Sequence, residues 1–107
     1  PLKSSRMIHD FAITENYVVV PDLPFEIKAN EAFALGNSIF KFTPFNPLRY
    51  GLLPKNAKSA SEVIWFNFDK DDGHYAFHYA NAFETVENGE NIVVMHCAAL
   101  KKFGKIL

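Results

Sequence analysis

Two of the four histidines in this 107-residue chain, His9 and His78, are the residues most able to carry metal chemistry. Neutral imidazole is a common ligand for divalent first-row metals, Fe(II) included. The two lie 69 positions apart and match no local motif such as H-E-x-x-H, so any shared ion would depend on the fold to bring them together. On residue type alone the bland reading leads, because a strand histidine is more often a hydrogen-bonded interior residue than a ligand. The surroundings of His78 weigh the other way. By alternation Ala76, Ala80 and Ala82 share its face, leaving room beside one large polar ring that a packed core would normally fill. His74 falls in a turn and His96 in a later strand, and both read as structural or exposed.

The elements that must position these rings are short strands. From Met7 to Thr14 the period is two: Met7, His9, Phe11 and Ile13 face one way, and Ile8, Asp10, Ala12 and Thr14 the other. Alternation thus points Asp10 away from His9. Thr14, Glu15 and Asn16 form a turn, and Tyr17 to Val20 is a β-branched and aromatic strand that Pro21, unable to donate to a ladder, should end or edge. Phe25 to Lys28 reads as a short edge strand. Ala29 to Leu35 is the one good helical candidate, with Asn30 placed to cap it and Gly36 to end it.

Strands follow at Ile39–Phe42, Arg49–Leu53, Glu62–Phe68, Tyr75–Phe83 and Ile92–Cys97. Between them lie a loop over Thr43–Pro47, a polar loop over Lys55–Ser61 and turns at Asp69–Gly73 and Glu87–Asn91. Trp65, Phe66 and Phe68 read as core between sheets, and Glu84 as a residue at a strand end. Many short strands with turns at near-regular intervals predict an all-β fold, a propeller, sandwich or barrel, and periodicity cannot choose among these.

Composition narrows the function classes. Apolar residues are 49% and charged residues 21%, as in a globular protein, and eleven phenylalanines are unusually many. A net charge of -1 with scattered Lys and Arg gives no footprint for nucleic acid or an anionic membrane. The lone cysteine, Cys97, excludes an internal disulfide, reads as a small buried hydrophobe and makes a reducing, intracellular compartment the easier reading.

Three stretches together resemble the carotenoid cleavage oxygenases. MIHDFAITENYVV, from Met7, is similar to the family's M-[IM]-H-D-F-A-I-T-E-N-Y-x-[VI] segment around one of four iron-binding histidines. FHYANAFE, Phe77 to Glu84, resembles its F-H-x-x-N-A-[WF]-E segment around another, with Phe83 where many members have tryptophan. RYGLLPKNA, Arg49 to Ala57, looks like the R-[FY]-G-[VIL]-L-P-[RK] block of plant-type members. The likeness runs over nearly the whole chain. It begins almost at Pro1, and family members are several times longer, so residues 1–107 are expected to be an internal portion of a carotenoid oxygenase domain.

The resemblance implies one to two blades of a seven-bladed β-propeller with Fe(II) on its axis, His9 and His78 being two of four imidazole ligands. It implies oxidative cleavage of a carotenoid or apocarotenoid double bond by dioxygen to carbonyl products, with Phe77, and Phe11 on the face of His9, lining the substrate path. The carboxylates that orient the imidazoles would come from elsewhere in such a protein, and Asp10, Glu15 and Glu84 are not assigned that role. Half the ligand set is missing, so the isolated segment should be inactive. Plastid and cytosol are both open, and the apolar substrate leaves peripheral membrane contact open through regions outside this chain. Non-oxygenative or stilbene-cleaving chemistry of the same family, or a non-enzymatic β-rich binding module, are the alternatives.

Overall fold

Strand-forming residues punctuated by turn chemistry build the chain. The computed structural model describes residues 2, 4–43 and 48–102. In chain order the elements are β1 (Ala12–Ile13), β2 (Tyr17–Asp22), β3 (Phe25–Ile27), α1 (Ala29–Leu35), β4 (Phe40–Phe42), β5 (Leu48–Pro54), β6 (Ile64–Phe68), β7 (Tyr75–Glu87) and β8 (Glu90–Leu100). Two 3-10 turns, Ala60–Glu62 and Lys70–Asp72, flank β6. The fold is all-β, as expected.

Four strands form an antiparallel sheet in the order β1-β2-β5-β6, with Val19 opposite both Ala12 and Leu52, and Gly51 opposite Trp65. The hairpin β3-β4, with α1 between its strands, leaves this sheet and returns to it. A second, longer hairpin joins β7 to β8 through Asn88 and Gly89. Both turn residues have positive φ, 50° and 79°, the backbone an Asn-Gly hairpin turn requires. At another left-handed position, Gly36 (φ 67°) ends α1 and donates its N–H to the Ala32 carbonyl.

The core is where β2, β3, β5 and the start of β7 meet. Leu48, Tyr75, Ala76 and Leu23 are buried there with Val19, Phe25 and Tyr50. Phe25 is its aromatic centre, 4.6 Å from the Tyr75 ring and stacked on Phe40 at 5.5 Å. Beside the core lies an ion-pair network: the fully buried Asp22 carboxylate accepts from Arg6 Nε at 2.9 Å and from Arg49 Nε at 2.7 Å, and Arg6 also reaches Glu26 at 3.1 Å.

Several expectations are corrected. Of the two expectations for Pro21 the edge holds and the end does not: β2 runs on to Asp22, and since β1 reaches only Val18 and Val19, the missing N–H falls where one side of β2 has no ladder. Asn30 is not the helix cap; Lys28 occupies that position without a side-chain hydrogen bond. Phe66 and Phe68 are exposed rather than core, because they face an open groove between the four-stranded sheet and the β7-β8 hairpin, and Trp65 is half-buried beneath Arg49, whose Cζ sits 3.7 Å above the ring. The loop expected over Thr43–Pro47 lies, from Pro44 on, outside the described residues.

Candidate metal centre

His9 is not inside a strand. Residues 7–11 have no regular ladder, and β1 begins only at Ala12. What holds this segment is a set of bonds to β7, repeated at a nearly constant offset along the chain. The Tyr75 hydroxyl donates to the Met7 carbonyl at 2.8 Å, and burial pushes this phenol above its ordinary pKa. The His9 ring bonds the Phe77 carbonyl at 3.0 Å. Tyr79 N–H donates to Asp10 Oδ2 at 3.0 Å. Further on, Glu84 accepts from both the backbone N–H and the side-chain amide of Asn16, at 2.8 and 3.0 Å. Residues 68 or 69 apart are tied four times, so the 7–16 segment runs alongside β7 in fixed register.

That register brings the two histidines together. Their ring centroids are 5.4 Å apart with planes at 70°. With metal–nitrogen bonds of about 2.1 Å, two imidazoles on one ion have ring centres roughly 4.5 Å apart at adjacent positions and roughly 6.5 Å apart at opposite ones. The observed spacing falls between these. A carbonyl can only accept, so His9 Nδ1 carries the proton and its Nε2 keeps the lone pair free for a ligand. Metal-binding histidines are commonly oriented by donating the other ring nitrogen in this way, here to a backbone carbonyl next to the second histidine. Both rings are exposed. The donor set fits a divalent first-row metal that favours imidazole, and it is a partial set: among the described residues no group of three His, Cys, Asp or Glu side chains could close around an ion.

The alanine row around His78 does not share one face. Register shifts on either side of Tyr79 interrupt the pairing of β7 with β8; Ala76 is buried, Ala82 half-buried, and His78 and Ala80 exposed. Bulges re-aim side chains, and no residue type in this stretch announces them. Phe77 is half-buried, packed edge-on to Tyr75 at 4.8 Å and to the His9 ring at 5.6 Å. Phe11 is 54% exposed, and its N–H donates to Asp10 Oδ1 at 2.8 Å.

Sequence reasoning missed Asp10 as a tether. Its tie to Tyr79 joins residues 69 apart, and such an offset has no local signature. These backbone N–H donors, from Tyr79 foremost and then Phe11, hold its carboxyl below the usual carboxylate range. Glu84 is likewise lowered, chiefly by the Asn16 side chain.

His74 and His96 stand away from the pair. His74 Nδ1 donates to the Asp72 carbonyl at 2.7 Å, so its Nε2 accepts from the Tyr50 hydroxyl at 2.8 Å. His96 is exposed opposite Asn81. Cys97 is a half-buried free thiol, raised in pKa by burial. It lines a groove of about 840 Å³ between the four-stranded sheet and the β7-β8 hairpin, with Tyr50, Phe68, Val93 and Met95. Neither His9 nor His78 borders this groove, so it is an inter-sheet gap rather than part of the histidine site.

Residues 1–106 match the family model described as Retinal pigment epithelial membrane protein, RPE65. A carotenoid 9,10(9',10')-cleavage dioxygenase of Crocus sativus is 38% identical over 96 residues, 90% of this chain and 16% of the relative. Resveratrol cleavage oxygenase 1 of Aspergillus fumigatus is 35% identical over 81 residues, 76% of this chain and 16% of the relative. Among solved structures, the lignostilbene dioxygenase of Pseudomonas brassicacearum superposes with a TM-score of 0.60 at 35% identity, over 84% of this chain and 18% of that one. That enzyme is a propeller-type oxygenase, and the sheets described above correspond to part of it. The chain spans about 16% of the length of the first curated relatives it matches.

Proposed function

This chain belongs to the Retinal pigment epithelial membrane protein family, and from that premise we propose that it supplies two ligands, His9 and His78, to the ferrous centre of a dioxygenase cleaving a carotenoid or apocarotenoid double bond. The observation that supports the ligand role is the convergence of the two rings at 5.4 Å, with His9 Nδ1 on the Phe77 carbonyl. The names of the plant relatives support the substrate class.

Bound at such a site, Fe(II) supplies activation of dioxygen for oxidative cleavage. This chain's part is to hold and orient. The Phe77 carbonyl keeps His9 in the Nδ1–H tautomer and aims Nε2 outward, while the bonds to β7 hold the segment that carries it against the strand that carries His78. Phe77 backs the His9 ring and excludes water from that side, and exposed Phe11 offers an apolar surface to a polyene.

A stilbene-type substrate is the second reading, favoured by the names of the Aspergillus relative and the Pseudomonas structure. The test is to replace His9 or His78 with alanine in the intact protein, then measure bound iron and turnover of an apocarotenoid and of a hydroxystilbene. Each variant should lose iron and cleavage together. Unchanged iron content defeats the ligand assignment, and turnover of the stilbene alone selects the second reading.

A further inference from the structure

We infer that Asp10 is a positioning residue for the histidine pair, acting through the backbone on both sides of the site. This rests on the ligand reading of His9 and His78 above. The Asp10 carboxylate follows His9 directly in the chain and accepts one N–H from each histidine-bearing segment. Oδ1 takes Phe11 N–H at 2.8 Å, and Oδ2 takes Tyr79 N–H, next to His78, at 3.0 Å.

The second bond falls where β7 is irregular. Pairing with β8 shifts register on both sides of Tyr79, so the ladder by itself leaves the direction of His78 poorly defined. Two bonds then act on the residues flanking His78: the Phe77 carbonyl is held by the His9 ring, and the Tyr79 N–H by Asp10. One is made by a ligand and the other by its neighbour, so the two imidazoles are located relative to each other and not merely relative to the sheet. An ordinary surface aspartate would not span two segments 69 residues apart in this way. Asp10 bonds to backbone and to neither ring, so its hydrogen bonds act on ligand geometry.

The experiment uses the intact iron-loaded protein, with Asp10→Ala removing both acceptors and Asp10→Asn keeping the volume and one acceptor while setting an NH₂ against the other N–H. Asn16→Ala, which removes the side-chain bond of the more distant tie to Glu84 and leaves its backbone N–H bond, is the control. Two readouts are taken: the rate at which ferrous iron is lost to a chelator, and the electron paramagnetic resonance spectrum with nitric oxide as probe, which reports the symmetry of the ligand field. Outer partners of metal ligands typically change affinity by about 10–100-fold. Acting one bond further away, Asp10→Ala should speed iron loss by about tenfold and shift the spectrum, Asp10→Asn should do so to a smaller degree, and Asn16→Ala should leave the spectrum unchanged.

Wild-type release and spectrum in Asp10→Ala overturn the inference, as does a lower melting temperature with an unchanged spectrum, the mark of a merely structural role. If Asp10→Ala does not fold, Asp10→Asn decides by the same criteria. Iron loss in the histidine variants with no effect at Asp10 removes this inference alone, whereas iron retained by the histidine variants removes the ligand reading beneath it.

Discussion

Asp22→Ala should loosen the His9 segment without touching either histidine. Asp22 is fully buried and bridges two guanidinium groups, Arg6 at 2.9 Å and Arg49 at 2.7 Å, whose side chains are only 5% and 14% exposed. Removing one partner of a buried ion pair costs about 3–5 kcal/mol, because the other charge is left uncompensated. Arg6 keeps Glu26 at 3.1 Å and Arg49 keeps the Trp65 face, which places the expected loss at the low end, about 3 kcal/mol. At about 1.4 kcal/mol per decade, local opening should become roughly a hundredfold more frequent.

Hydrogen exchange in the intact protein reads this directly. Met7 N–H bonds the Phe25 carbonyl and Ile27 N–H the Ser5 carbonyl, so these amides flank Arg6 and report on its anchoring. They should exchange roughly a hundredfold faster, whereas amides near the Asn88–Gly89 end of the β7-β8 hairpin should not change. Exchange within about threefold of wild type at Met7 and Ile27 would refute the argument that this buried pair anchors the segment.

Two other perturbations follow from the same geometry. Gly51→Ala would set a methyl group 2.5 Å from Val63 Cγ1 and 2.9 Å from the Trp65 ring, forcing the indole off its place under Arg49; a loss of about 1–3 kcal/mol is expected, measured as a lower midpoint of denaturant unfolding. Glu26 has a carboxyl held below its ordinary 4.5, first by the Ser4 hydroxyl at 2.6 Å and then by Lys28 and Arg6. A depressed native pKa means the stabilisation is present above 4.5 and lost as pH falls through the lower native value, so melting temperature should drop in that acid window and Glu26→Gln should flatten the drop.

Much of the architecture was legible in one dimension because its causes are local. Alternation placed the strands, Asn88–Gly89 the long hairpin turn, and Gly36 the end of a helix whose bounds, Ala29–Leu35, agree with the expectation. The motifs around His9 and His78 pointed to the family, and the histidines were named for their chemistry. Errors arose where neighbours in space decide. Pro21 stays in its strand because β1, beginning only at Ala12, leaves that side of β2 without a ladder, and Phe66 and Phe68 are exposed because they line the open groove between the sheets.

The site itself is the clearest division. Residue types alone determined that imidazole could be the donor and that Cys97 has no disulfide partner within residues 1–107. Only tertiary structure decided that residues 68 or 69 apart meet at four points, that the Phe77 carbonyl selects the His9 tautomer, and that the pairing of β7 with β8 is irregular beside His78. The reason is physical: periodicity and turn propensity act over a few residues, whereas hydrogen bonds between distant segments form only after sheet packing has brought them within about 3 Å.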